Sequence, residues 1–123
     1  MGIGVDIVEL SRLDIENERF VRHILSDEEY VIFQSFPTKK RKREYLGGRF
    51  AAKEAVLKAL GTGLREGSLQ EIAVANDALG KPLVQLSGHF AALSRQLGVK
   101  NIQISLSHSR DFAVAYVIME DDK

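Results

Sequence analysis

The chain has 123 residues, enough for one domain with a hydrophobic core of its own. Its 45% hydrophobic and 28% charged fractions are those of an ordinary globular protein, and a formal net charge of zero singles out no partner by sign. The lack of cysteine excludes a disulfide framework, a thiolate zinc site and a cysteine nucleophile; with no apolar run of membrane-spanning length and no signal-peptide pattern, a cytoplasmic location is expected.

Over residues 3–8, Ile3, Val5 and Ile7 alternate with Gly4, Asp6 and Val8, the period of a strand. Ser11 and Asp14 offer a capping signal for a helix running to about residue 25. Ser26 with Glu29 repeats that signature and predicts a short helix that Pro37 ends. A long helix is predicted over Lys39–Leu60, with Tyr45, Leu46, Phe50, Val56, Leu57 and Leu60 as its apolar surface and Gly61 as its stop. Residues 72–75 and 83–86 read as strands joined by a turn at 77–82, where Gly80 and Pro82 break the pattern. Residues 91–97 form a short helix closed by Gly98, Ile102, Ile104 and Leu106 alternate as a strand, and 112–119 is a continuous apolar strand. The sum is a single α+β domain over residues 1–123, with an antiparallel sheet packed against one long helix and shorter ones.

Asp6 stands out, because an unpaired carboxylate within an apolar strand is costly to bury. It is a strand-end aspartate reaching solvent, a metal ligand, or half of a buried ion pair; Gly4, on the same face, leaves room beside it. Glu54 and Lys58 are four apart in the favourable order, so a surface salt bridge of a few tenths of a kcal/mol is the plain reading. Two features argue for more. Gly47 and Gly48 fall inside the helix, where each costs roughly 1 kcal/mol relative to alanine. Ala51, Glu54, Ala55 and Lys58 form a stripe of small and charged residues that suits close approach by a backbone or a ligand.

The basic block Lys39, Lys40, Arg41, Lys42 and Arg43 opposes the dipole at the start of the long helix. A bound anion would turn that loss into a gain; the alternative is a solvated, unstructured lead-in. At the other end, Glu120, Asp121 and Asp122 make an acidic tail. Ser105, Ser107, His108, Ser109 and Arg110 cluster at a strand end, without the G-x-S-x-G turn of a serine hydrolase. His108 is either structural or a phosphate contact. Two acids for a hard cation and several cations for phosphates point to magnesium, and the lack of a histidine pair at ligand spacing disfavours zinc. The residues by themselves reach an enzyme acting on a phosphate ester or nucleotide. A small nucleic-acid-binding module using the basic block is the non-enzymatic rival, disfavoured because no aromatic residues interleave with the block.

Taken in order, the motifs resemble a known family. Gly2-Ile3-Gly4-Val5-Asp6-Ile7-Val8 looks like the N-terminal motif of the holo-[acyl-carrier-protein] synthases, the small single-domain type of 4′-phosphopantetheinyl transferase. Gly48-Arg49-Phe50-Ala51-Ala52-Lys53-Glu54-Ala55 with Lys58-Ala59-Leu60-Gly61-Thr62-Gly63 resembles their signature helix, and Gly80-Lys81-Pro82 and Ser105-Leu106-Ser107-His108-Ser109 follow in the family's order. The resemblance covers essentially the whole chain. It implies the phosphopantetheinyl-transferase fold, and transfer of 4′-phosphopantetheine from coenzyme A to a serine of acyl carrier protein in fatty acid biosynthesis, releasing 3′,5′-ADP.

Carried over residue by residue, it makes Asp6 and Glu54 magnesium ligands and, with Lys58, the catalytic set, Lys58 neutralising the phosphates. Lys40, Arg41, Arg49, His108 and Ser109 match positions around the nucleotide's 3′-phosphate, with Lys58 and Gly61 also on the coenzyme A side. Arg12, Arg19 and Arg22 on the first helix would face the acidic recognition helix of the carrier. The family's sites lie between subunits of a homotrimer, so the nucleotide-binding groups would come from the subunit opposite Asp6 and Glu54. No membrane or nucleic acid is implied as a partner. Relatives acting on peptide or polyketide synthase carrier domains are the enzymatic alternative. Two departures stand out: the opening strand is a residue or two short, which touches its first pairings, and His23 replaces a frequent arginine on the carrier-facing helix.

Overall fold

The computed structural model describes residues 2–63 and 66–121; Asp122 of the predicted acidic tail lies outside the described residues. The predicted long helix forms over the predicted span, as α3 (Lys39–Leu60). Thr38 caps it, its Oγ1 accepting from the Arg41 amide at 3.1 Å. Gly61, at φ 77°, closes it in the left-handed conformation that glycine adopts without penalty. The basic block is therefore the first turn of a helix and not an unstructured lead-in.

Helix α3 lies across a three-stranded antiparallel sheet in the order β1 (Gly2–Glu9), β5 (Phe112–Glu120), β4 (Asn101–His108). Pairing along β1 begins at Gly2 with Met119 and runs through Glu9 with Phe112, so the short opening leaves the ladder intact. Central β5 turns Ala113, Ala115, Val117 and Met119 inward, all buried. On β1 the inward set includes Gly2 and Gly4, and their lack of side chains sets the packing distance. A Cβ on Gly4 would lie 1.9 Å from the carbonyl oxygen of Ala55, and one on Gly2 would lie 2.0 Å from that of Ala59. The small stripe on α3 thus receives a backbone. Replacing Gly4 with alanine should force β1 off the helix at a cost of about 1–3 kcal/mol or more in denaturant unfolding. Wild-type stability in that variant would contradict this packing.

On β1 and β5 the other face of the sheet is open and apolar. Ile3, Val5, Ile7, Tyr116 and Ile118 are between 37% and 65% exposed, so the strand alternation here points its branched side chains outward.

Four features differ from expectation. The helix foreseen from Ser11 is a 3-10 turn over Leu10–Arg12, a non-helical stretch that turns at Ile15 and Glu16, and then α1 (Glu18–Ile24) capped by Asn17. The cause is burial: Leu13 and Ile15 are both in the core, and two residues that close in sequence point to nearly opposite sides of a helix. Arg12 therefore precedes the first helix rather than riding on it. The helix α2 (Asp27–Ser35) carries the predicted Ser26–Glu29 capping box. The two middle strands, β2 (Ile72–Asn76) and β3 (Pro82–Leu86), make a hairpin of their own, so the antiparallel strands form two sheets and not one. Helix α4 (Gly88–Gln96) starts three residues earlier than predicted. Glu120, assigned to an acidic tail, ends β5 and accepts hydrogen bonds from Asn101 and Gln103 at 3.1 Å each. Among the described residues no helix is long and apolar enough to cross a membrane.

Candidate active site

Asp6 and Glu54 reach one place from two elements. Both line a groove of about 520 Å³ whose other walls include Leu13, Phe20, Phe50 and Phe112 and whose rim carries Arg12. Asp6 is held there by Lys58, whose Nζ donates to Asp6 Oδ1 at 2.9 Å and to the Val5 carbonyl at 3.0 Å. The helical pair expected between Glu54 and Lys58 gives way to this cross-element ion pair, because close packing of β1 on α3 brings Asp6 within reach of Lys58. Burial pushes the Glu54 carboxyl above its usual pKa, the charge of Asp6 adds to the rise, and Lys58 opposes it. A carboxylate held beside a second one and an apolar wall is suited to a hard divalent cation, which binds through oxygen. Among the described residues no set of three histidine or acidic side chains gathers for a metal, so any ion here would draw its remaining ligands from substrate and water.

A second groove, about 500 Å³, collects Arg41, Arg49 and His108 of the predicted nucleotide set. Arg49 donates to Asn76 Oδ1 at 3.2 Å and to the Val74 carbonyl at 3.4 Å, and its guanidinium stacks 4.4 Å from the Tyr45 ring centroid. Its Nε and the Tyr45 hydroxyl are buried without partners, and burial pushes the Tyr45 phenol up to about 12. Glu44 stands between the other two side chains, 3.8 Å from both Arg41 Nε and His108 Nε2. On α3, Arg49 and Glu54 are five residues apart, a rotation of about 140°. One copy of the chain therefore presents its carboxylates and its cationic groove on different sides.

The remaining predicted residues lie apart from both grooves. Lys40 lines a smaller groove of about 180 Å³ with Arg43 and Arg110. Ser109 builds the turn into β5, its Oγ accepting from the Phe112 amide at 3.3 Å. Gly61 is the helix cap described above. Arg19 and Arg22 sit one turn apart on α1, both exposed, with Arg22 3.4 Å from Asp27 and stacked 4.4 Å from the centroid of Tyr30.

The sequence reading missed Lys53. Its side chain is fully buried, and Nζ donates to the Ile24 carbonyl at 2.7 Å, to Glu29 Oε1 at 2.5 Å and to the Leu69 carbonyl at 3.1 Å. Burial pulls its pKa down while the Glu29 charge opposes that fall. Leu46, Phe50, Leu57 and Leu60 share its helical stripe at spacings of three and four, so a lysine in an apolar row was the available signal.

The family model described as 4′-phosphopantetheinyl transferase superfamily matches residues 2–117. A holo-[acyl-carrier-protein] synthase of Geobacillus sp. is 46% identical, over 98% of this chain and 96% of that one. The crystal structure of a holo-(acyl-carrier-protein) synthase from Bacillus anthracis in complex with CoA (3′,5′-ADP) superposes with a TM-score of 0.83 at 38% identity, over 98% of this chain and 96% of that one. The synthase of Neisseria meningitidis gives 0.87 at 35% identity, over 98% of each chain. With a full-length sequence match and the same arrangement of elements, the chain belongs to the 4′-phosphopantetheinyl transferase superfamily, among the holo-[acyl-carrier-protein] synthases.

Proposed function

We propose that this enzyme transfers 4′-phosphopantetheine from coenzyme A to a serine of acyl carrier protein, in the cytoplasm, as a single-domain Mg²⁺-dependent transferase of fatty acid biosynthesis. The observation that carries the reading is the convergence of Asp6 and Glu54 on one groove with Arg12 at its rim.

Asp6 and Glu54 would hold Mg²⁺, which when bound would supply positive charge against the negative charge that develops as the P–O bond breaks. Lys58 fixes the Asp6 carboxylate and brings a positive charge to the same edge. The serine oxygen bonds to the pantetheine phosphorus, the bond from that phosphorus to the bridging oxygen breaks, and 3′,5′-ADP departs with the bridging oxygen. The serine proton passes to Glu54 or to a water it orients, a role its raised pKa suits. Holding serine and phosphorus together removes the entropy cost of their encounter.

Arg41, Arg49 and His108 would receive the nucleotide's phosphates, with Lys40 and Ser109 at the margins. Because the two grooves face different ways on one chain, a complete site would pair the cationic groove of one copy with the carboxylates of another. The open apolar face of β1 and β5 supports the homotrimer that this requires, since burying such a face is the ordinary reason for assembly. Arg12 at the rim of the carboxylate groove, paired with Glu9 at 3.1 Å, and the exposed Arg19 and Arg22 of α1 would guide an acidic carrier. Replacing Arg12 with glutamate should raise KM for the carrier much more than KM for coenzyme A in steady-state assays. Equal effects on both would contradict this docking surface.

The test of the proposal is intact-mass analysis of apo acyl carrier protein after incubation with the enzyme, coenzyme A and Mg²⁺. A phosphopantetheine increment on the carrier is expected, and an unmodified carrier would refute it. Peptide and polyketide synthase carrier domains run in parallel decide between the two carrier classes.

A further inference from the structure

Glu29 is 2% exposed, and the proposed mechanism gives it no task. Its two oxygens are divided between two jobs. Oε1 accepts from Lys53 Nζ and, at 2.9 Å, from the Ser26 amide. Oε2 accepts from the Val74 amide at 2.7 Å, on β2. The carbonyl of that same Val74 receives Arg49, and Asn76, two residues on along the strand, receives it as well. Lys53 and Arg49 are four apart on α3, so a closed loop of contacts runs from the helix through Glu29 to β2 and back to the helix. An ion pair this deep is an inefficient stabiliser compared with apolar residues of the same volume. What it supplies instead is direction, since a carboxylate clamped by Lys53 fixes where the Val74 amide must sit.

We propose that Glu29, clamped by Lys53, is a positioning residue for coenzyme A, fixing the strand that holds Arg49 in the cationic groove. The inference rests on the reading of that groove as the nucleotide site. It assigns Glu29 no contact with substrate; Glu29 acts through Val74 and Arg49.

Steady-state kinetics of Glu29→Gln, Arg49→Lys and the double variant test this. A glutamine that turns its one oxygen toward Lys53 and the Ser26 amide must face the Val74 amide with its own N–H groups, which releases β2. In Glu29→Gln the KM for coenzyme A should rise roughly tenfold, the scale of one charged hydrogen bond, with kcat and the carrier KM little changed. The double variant should be no worse in coenzyme A KM than Arg49→Lys alone, because both act at one contact. Additive effects, or a lowered kcat with an unmoved coenzyme A KM, would overturn the inference and leave Glu29 a purely structural residue. If Arg49→Lys raises that KM and Glu29→Gln does not, the inference alone fails. If Arg49→Lys leaves it unmoved, the nucleotide reading fails and takes the inference with it. Should Glu29→Gln not fold, Glu29→Asp keeps the charge for Lys53 but is one methylene short of Val74, and is read in the same way.

Discussion

Asp6→Ala and Glu54→Ala should each abolish phosphopantetheine transfer while leaving the domain folded. Both side chains open into the groove and neither anchors the core, so their removal takes away charge and not packing. For Glu54 the metal-free protein should, if anything, tolerate the change well. Its carboxylate is disfavoured first by burial and then by Asp6, and Glu54→Gln removes both penalties. The expected pattern is therefore opposite signs: a variant at least as resistant to urea as the parent without Mg²⁺, and inactive with it. Mg²⁺ added on top of coenzyme A should raise the unfolding midpoint of the parent further, and not that of Glu54→Gln. Unchanged turnover in either alanine variant would remove the carboxylate pair from the chemistry.

The largest loss of stability should come from Lys53→Met. Methionine fits the volume of the lysine stem, yet it leaves Glu29 charged and buried with its cation gone. Breaking such a pair costs about 3–5 kcal/mol, a large part of the stability of a domain this size. The damage would be wide because the ammonium also binds the carbonyl that ends α1 and that of Leu69, ahead of β2. Urea unfolding measures it directly. A loss under 1 kcal/mol would mean that the pair is not the junction its contacts describe.

The elements were legible where the sequence carried local signals. The capping box of α2 and the Gly61 stop of α3 both stand where they were read, because a cap is a contact between near neighbours. The span 10–17 was misread because its Ser and Asp gave a helical signal while Leu13 and Ile15 had to face the core together. Tertiary burial overrode the cap.

The candidate site divides in the same way. Asp6 was singled out by chemistry, as an acid where an acid is costly, whereas Glu54 was read first as half of a salt bridge with Lys58 and became a ligand through the family resemblance; the two share a groove. The partner of Lys58 was not foreseen, because Asp6 comes within its reach only through the Gly2 and Gly4 packing, a contact between residues some fifty positions apart. Glu29 was recognised for its local cap alone; that its second oxygen also holds β2 depends on the placement of a strand 45 residues away. The cationic set was only partly gathered, since Arg41, Arg49 and His108 share a groove whereas Lys40 and Ser109 stand outside it.

Manganese, a spin-bearing stand-in for magnesium, allows the central pair to be tested without turnover. Titration of Mn²⁺ in the presence of coenzyme A, followed by electron paramagnetic resonance, should show ion uptake by the parent enzyme that is lost in both Asp6→Ala and Glu54→Ala. Uptake of the same strength in either variant would mean that the two carboxylates do not share an ion.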